Sequence, residues 1–256
     1  MPRPLNGLHG GVACLIRGWL IKCTRVERKH RDLGIMWLRI TLPQHGTPIF
    51  VAVCYLPPAE STYYRDTPHD RASHFETLSE DVAHFSLRGR IVMGGDFNAR
   101  VGTSSDISEA VDWDGMAESG IPIPTTLKRQ QIFIQSLPNR MTQDTARCNA
   151  KMGTPLLEIC KKHQLVILNG RLIGDDNDIS GGAHTFTARG REHAQSLIDY
   201  FIATPSLCFR EGGSIKEGCT LRVTHELQNI GETDHACVAL QINIEATNKR
   251  VEEESM

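Results

Sequence analysis

Short apolar runs broken by glycine, proline and charge open the chain: GVACLIR from Gly11 to Arg17, then Ile21 to Val26, Ile35 to Leu42 and Ile49 to Tyr55. Each predicts a β-strand. Several strands in succession with no helix between them predict antiparallel pairing. The period then changes. Phe75, Leu78, Val82 and Phe85 recur at helical spacing, with Asp70 placed to cap the helix and Gly89 to stop it. Ile91-Val92-Met93 predicts a strand that runs straight into Gly94-Gly95-Asp96. Residues 100–148, with Pro122, Pro124 and Pro138, read as a long irregular excursion. A second helix over Thr154 to His163 turns Leu156, Ile159 and Cys160 inward and feeds the strand Leu165 to Leu168. Gly174 to Gly182 reads as a loop. Strands resume at His184 to Thr187, Leu197 to Ala203, Thr220 to Val223 and Cys237 to Ile242, before a charged tail. Strand clusters followed by a helix, twice over, predict an α+β fold of two packed, mostly antiparallel sheets with helices outside.

Composition narrows the function classes. With 256 residues, 40% hydrophobic and 23% charged, the chain is an ordinary soluble globular one. Its net charge of −2 argues against holding nucleic acid by overall charge. That leaves a local patch or a metal in a cleft, and Lys128-Arg129 is too small a cluster to be the patch. Eight cysteines form no CxxC pair, and several lie in apolar runs. They read as buried reduced thiols in an intracellular protein (nucleus or cytoplasm), with no zinc site and no disulfide-linked partner. The start MPRPLNGLHGG lacks the apolar core of a signal peptide, and the longest apolar run, Ile49 to Leu56, is too short to span a bilayer.

Three stretches share one design, an apolar strand ending in a carboxylate: MGGDFN (Met93 to Asn98), SLIDYF (Ser196 to Phe201) and ETDHA (Glu232 to Ala236). Carboxylates at strand ends share a rim where hard cations and phosphates can be handled. Phosphodiester cleavage needs a base, an oxygen-rich metal site and donors for the charged transition state. Asp96 suits the base, Asn98 a donor, Asp234 a metal ligand and His235 a phosphate contact, with Asp199 orienting His235. Taken singly, GDFN is also a turn sequence, IDYF a strand with an exposed Asp, and TDH a turn before a strand. The paired glycines before Asp96 imply close backbone approach. Asp175-Asp176 lacks a surrounding hairpin and reads as a solvated loop, and His184, His193 and His225 as isolated loop histidines.

The order of these words, over about residues 8 to 244, resembles the endonuclease/exonuclease/phosphatase (DNase I-like) family, which includes abasic-site repair nucleases, pancreatic DNase and LINE-type retrotransposon endonucleases. GGVACLIR, CYLPP, IVMGGDFNARVG, HTF, SLIDYF and TDH carry the resemblance. LLEICKKHQLVILNGR is similar to a stretch of the retrotransposon and craniofacial-development-protein-like members. The resemblance implies a four-layered α/β sandwich over residues 8–244 with a charged tail at 245–256. It implies that Asp96 activates water, Asn98 orients it, Asp199 partners the catalytic His235, Asp234 and Asp96 hold Mg²⁺ or Mn²⁺, and Tyr55 contacts phosphate. Thr185 and Asn169 are placed by it near the substrate rim, although Asn169 and Arg171 also match a structural stretch. DNA is the implied partner.

Two departures qualify the resemblance. Pro58 stands where many members carry a donor Asn. The family's first strand–helix–strand unit, with an Asn and the chief Glu ligand, has no counterpart before Gly11, for Asn6-Gly7 is followed by no Glu. The expectation is an N-terminally truncated domain with an open sheet edge, weak metal binding and weakened or absent activity. Three functions stay open: a Mg²⁺-dependent DNA endonuclease of retroelement type, a non-catalytic relic or interaction domain, and a deadenylase or phosphatase branch. No WTDR-like phosphatase word is present. The geometric expectation is specific. Asp96, Asn98, Asp199, Asp234 and His235 should meet on one rim, with Asp199 in hydrogen-bond reach of His235, and a separation of Asp96 from His235 beyond about 12 Å breaks the reading.

Overall fold

A computed structural model of the chain describes residues 11–66, 70–109, 111, 118, 124–172, 182–188, 194–225 and 233–244. The strands are β1 (Thr24–His30), β2 (Ile35–Ile40), β3 (Ile49–Tyr55), β4 (Arg90–Asp96), β5 (Val166–Ile167), β6 (Phe186–Thr187), β7 (Gln195–Ser196), β8 (Asp199–Ala203), β9 (Thr220–Thr224) and β10 (Cys237–Gln241). The helices are α1 (Gly18–Ile21), α2 (Tyr63–Asp66), α3 (Arg71–Ser86), α4 (Thr125–Gln135) and α5 (Gly153–His163).

Six strands form one mixed sheet in the order β1-β2-β3-β4-β8-β5. Its neighbours are antiparallel except β3 and β4. That pair is parallel because α3 returns the chain to the same end, as parallel strands require. β9 pairs with β10 and β6 with β7, and a bridge from Phe186 to His235 links the two pairs into a second strand layer. The α+β class is as the sequence pattern predicts.

Alternation along the central strands divides the core. Ile91 and Met93 of β4, with Tyr200 and Ile202 of β8, face a cluster containing Leu78, Val82 and Phe85 of α3 and Leu156 and Ile159 of α5. Val92 and Ala203 face the other way, toward Leu221 and Val223 of β9. Phe85 stacks on Phe50 and tilts against Trp37, each at 4.8 Å, which seats α3 on the sheet. Asp70 caps α3 as the sequence predicts, accepting from Ser73 N at 2.8 Å.

Several expectations need correction. Residues 11–17 form no strand, and Ile21 lies in α1, so no strand covers Ile21 to Val26 as drawn. Apolar β-branched composition makes a strand only where another strand takes its hydrogen bonds, and none of the described residues does so here. Leu15 is consequently fully exposed and Trp19 largely so. The excursion at 100–148 hides α4, whose Gln131 is buried while Ile132 is exposed, an inverted pattern that masks a helix from any periodicity reading. All eight cysteines are free, and Cys54, Cys160, Cys208 and Cys219 are buried, but Cys14 and Cys237 are exposed. Asp175-Asp176, His193, Glu232, Asn6-Gly7 and the tail at 245–256 lie outside the described residues. Among those described, no helix is long and apolar enough to cross a membrane.

The excursion is held by a buried ion pair. Asp106 accepts from Arg171 Nη1 at 2.8 Å, Arg171 Nη2 at 2.9 Å and Ile167 N at 2.7 Å. Arg171 also donates to Pro138 O at 2.9 Å and Ile167 O at 2.7 Å. Removing one partner strands the other charge in the core, at a cost of about 3–5 kcal/mol. Arg171→Ala is therefore expected to lower unfolding stability in urea by roughly that amount, whereas the exposed Arg147→Ala should change it by less than about 0.5 kcal/mol; equal effects of the two would contradict this account.

Candidate active site

The site is built where β3 and β4 end and β8 begins. Parallel pairing sets Tyr55 of β3 beside Asp96 of β4, and antiparallel pairing sets Asp199 of β8 on the other side. The two glycines before Asp96 make this close packing possible. A Cβ on Gly94 would stand 2.5 Å from the Phe201 ring, and one on Gly95, at φ +141°, would stand 1.9 Å from Cys54 O. A side chain at either position forces the strands apart.

Beyond Asp96 the chain turns. Asn98 adopts φ 46°, a left-handed conformation that Asn tolerates better than most residues. Its backbone N donates to Asp96 Oδ1 at 2.8 Å. Its Nδ2 donates to Asp96 Oδ2 at 2.9 Å and to Leu56 O at 2.8 Å. GDFN is thus a turn and a part of the carboxylate's setting at once.

His235 arrives from the second layer. Its Nδ1 lies 3.0 Å and 3.2 Å from the two Asp199 oxygens, and its Nε2 lies 4.0 Å from Asp96 Oδ2. The Phe186 ring packs against the imidazole at 5.1 Å. Backbone bonds fix the approach: Thr187 N donates to Asp234 O at 3.0 Å and Ala236 N to Thr185 O at 2.7 Å. Among the described residues, Asp96, Asp199 and His235 form the group able to hold a metal ion, with ligand atoms all within 4.8 Å of one another. Asp234 is not in that group. It adjoins His235 and adds to the field that favours the protonated imidazole.

Thr185 and Asn169 are buried, and both serve the backbone of β8. Thr185 Oγ1 accepts from Ile198 N and Asp199 N, each at 3.1 Å. Asn169 donates to Asp199 O at 3.1 Å and accepts from Phe201 N at 2.8 Å. These hydrogen bonds hold the backbone of β8 in place around Asp199. Two positioning residues escaped the sequence reading. Asp144 accepts from Arg100 Nε at 2.8 and 2.9 Å and from Leu197 N at 3.0 Å, and Arg100 also donates to Gln195 O at 2.8 Å. Together they tie the excursion to the start of β8. Asp144 stands alone in QDTARC, with no spacing signal to mark it.

The electrostatics follow from this crowding. Burial, then the neighbouring Asp199 carboxylate, push the Asp96 pKa up to about 7, against the lowering hydrogen bonds of Asn98. The Asp199 hydrogen bond raises the His235 pKa above its ordinary value despite partial burial. Burial and Asp96 raise that of Tyr55. Burial works to raise Asp144, but the Arg100 guanidinium and two backbone N–H groups hold it below the usual range. A carboxylate able to exchange a proton near neutrality, beside an imidazole held by a second carboxylate, can perform general acid–base chemistry.

No protein-family model matches the sequence, and no curated protein matches it. Among solved structures the chain is similar to the endonuclease domain of TRAS1, a telomere-specific non-LTR retrotransposon, with 16% identity and a TM-score of 0.42 over 86% of this chain and 67% of that one. It is similar to the 3′-5′ exonuclease NExo from Neisseria meningitidis, with 15% identity and a TM-score of 0.45 over 81% and 65%. It is also similar to the AP endonuclease LMAP from Leishmania major, with 13% identity and a TM-score of 0.48 over 83% and 55%. The chain thus spans between about half and two thirds of the length of these proteins.

The Asp199–His235 pair sets a titration test. A raised folded pKa means that the pair's contribution is fully present below the unfolded histidine value, about 6.5, and is lost as pH rises through the higher folded value. In metal-free buffer, the His235 ring resonances should titrate above 6.5, and Asp199→Asn should bring the midpoint down toward it. An unchanged midpoint in that variant would show that the carboxylate does not hold the proton.

Proposed function

We propose that this chain is a metal-assisted phosphodiesterase domain acting on DNA, with Asp96 as the base that takes a proton from the attacking water. The observation that supports it is the convergence of Asp96, Asp199 and His235, with Asp96 poised to exchange a proton at about pH 7. A base works best with a pKa near the working pH.

In this reading Asn98 orients the Asp96 carboxylate, whose two oxygens it holds. Asp199 fixes the imidazole by Nδ1, leaving Nε2 turned toward Asp96. There the protonated ring donates to the phosphoryl oxygens as charge builds on them. Water loses its proton to Asp96, its oxygen bonds to phosphorus, and the bond to the ester oxygen breaks with its electron pair going to that oxygen, which takes up a proton from solvent. Tyr55, beside Asp96, faces the same phosphate.

The donor set fits a divalent ion incompletely. Two carboxylates and an imidazole offer fewer hard oxygens than Mg²⁺ prefers, so Asp96 and Asp199, with Asp234 adjoining, would hold Mg²⁺ or Mn²⁺ weakly. A bound ion would supply a Lewis acid for the leaving oxygen. Nicking by the isolated chain is therefore slow. The stretch LLEICKKHQLVILNGR supports the retrotransposon-endonuclease kind over the phosphatase kind.

Supercoiled plasmid incubated with millimolar Mn²⁺ or Mg²⁺ should be nicked slowly, and His235→Ala or Asp96→Ala should lower that rate by about two to four powers of ten. Cleavage that survives both substitutions overturns the proposal. Mg²⁺ titration by calorimetry should show millimolar affinity; micromolar affinity would require a further carboxylate outside the trio.

A further inference from the structure

A groove of about 1060 Å³ lies between α4 and the segment that follows β8. Arg90, Arg129, Arg210 and Lys216 line it, with Glu211 the acidic residue among its lining. Sequence distance hides this cluster. Arg129 comes from α4, Arg90 from the start of β4, and the other two from the chain beyond β8.

Two of the cations are uncommitted. Neither Arg90 nor Arg129 has an ion pair or side-chain hydrogen bond with a described residue, and Arg129 is exposed. Lys216 spends one donor on Ser206 O at 2.8 Å and keeps the others. The groove is not part of the active site. Arg90 and Asp96 are the two ends of β4, about 20 Å apart at strand rise.

We propose that this groove holds the phosphate backbone of single-stranded nucleic acid, as a site separate from the catalytic rim. The lining favours a single strand over other polyanions. Arg129, Ile132 and Phe133 stand at i, i+3 and i+4 of α4, so one helix face offers a cation beside apolar side chains. Ile132 is 57% exposed, an unusual place for a large aliphatic residue beside four cations. Phosphates pair with the cations while unpaired bases lie on the apolar side chains, the combination found in sequence-tolerant strand binders. A duplex hides its base faces, and an acidic peptide has no use for the apolar ones. The net charge of −2 is compatible with this, because the cations are concentrated in one groove. The groove stands on its own residues and does not depend on the phosphodiesterase reading.

The test uses the full chain in EDTA, which prevents metal-dependent cleavage, and a fluorescein-labelled oligothymidylate followed by anisotropy. Binding should weaken with salt with a log–log slope of about −2 to −3, as expected for three or four phosphate contacts on a single strand. Arg90→Glu with Arg129→Glu should weaken binding at least tenfold and flatten the slope by about 1.4, two contacts' worth. The milder Arg90→Gln with Arg129→Gln should give a smaller change in the same direction, with unaltered circular dichroism in both. Asp96→Ala should leave this binding intact even if it abolishes nicking, which separates the failure of one reading from the failure of the other. Binding that is insensitive to the groove substitutions overturns the proposal. So does displacement of the oligonucleotide by polyglutamate at equal or lower concentration, which would assign the groove to an acidic protein segment.

Discussion

The antiparallel pairing of β4 with β8 is the constraint on which the rest of the molecule depends. It sets Asp96 against Asp199, so that two carboxylates share one rim. The same register sends Ile91, Met93, Tyr200 and Ile202 to one core and Val92 and Ala203 to the other. A slip of one residue would exchange these faces and separate the carboxylates. The glycines at 94 and 95 enforce the register by admitting the Phe201 ring and the Cys54 carbonyl where no side chain fits. Stability and chemistry therefore rest on one contact, and the crowding that raises the Asp96 pKa is a consequence of it.

Three buried aspartates hold the periphery to this centre, each with less than a fiftieth of its surface exposed. Asp81 of α3 binds Arg28 and His30 of the edge strand β1. Asp106 binds Arg171 and the β5 backbone. Asp144 binds Arg100 and the start of β8. Each carboxylate anchors a segment that apolar packing alone leaves loose: an outer strand in the first case, the irregular excursion in the other two. Buried pairs are costly to desolvate and weak as net stabilisers. Their value here is positional, because each carboxylate accepts two or more donors in one arrangement.

Charge is distributed in the same spirit. The active rim gathers carboxylates and a single imidazole, while cations gather about 20 Å away, along the length of a seven-residue strand. An overall charge near zero conceals both concentrations. In the proposed reading the rim holds a cation and a reacting phosphate, and the groove holds phosphates that do not react.

The sequence by itself determined the elements whose pattern and caps agree. These are α3 with its Asp70 cap, α5, β3, β4 and β8, with Asp96 closing β4 as expected, whereas Asp199 opens β8 and Asp234 precedes β10. The order of the three acidic words was enough to expect that Asp96, Asp199 and His235 meet, since the chemistry of each word is local. Tertiary structure alone decided the rest. GVACLIR is a strand by composition, but a strand needs a partner's hydrogen bonds, and no described segment supplies them. The burial of Gln131 and exposure of Ile132 in α4 depend on what packs above the helix, which no periodicity records. Asp144, and the meeting of Arg90 with Arg129, Arg210 and Lys216, join residues far apart in the chain. Such pairings are set by which surfaces lie opposite each other once the sheet has formed, and a linear pattern carries no information about distance in space.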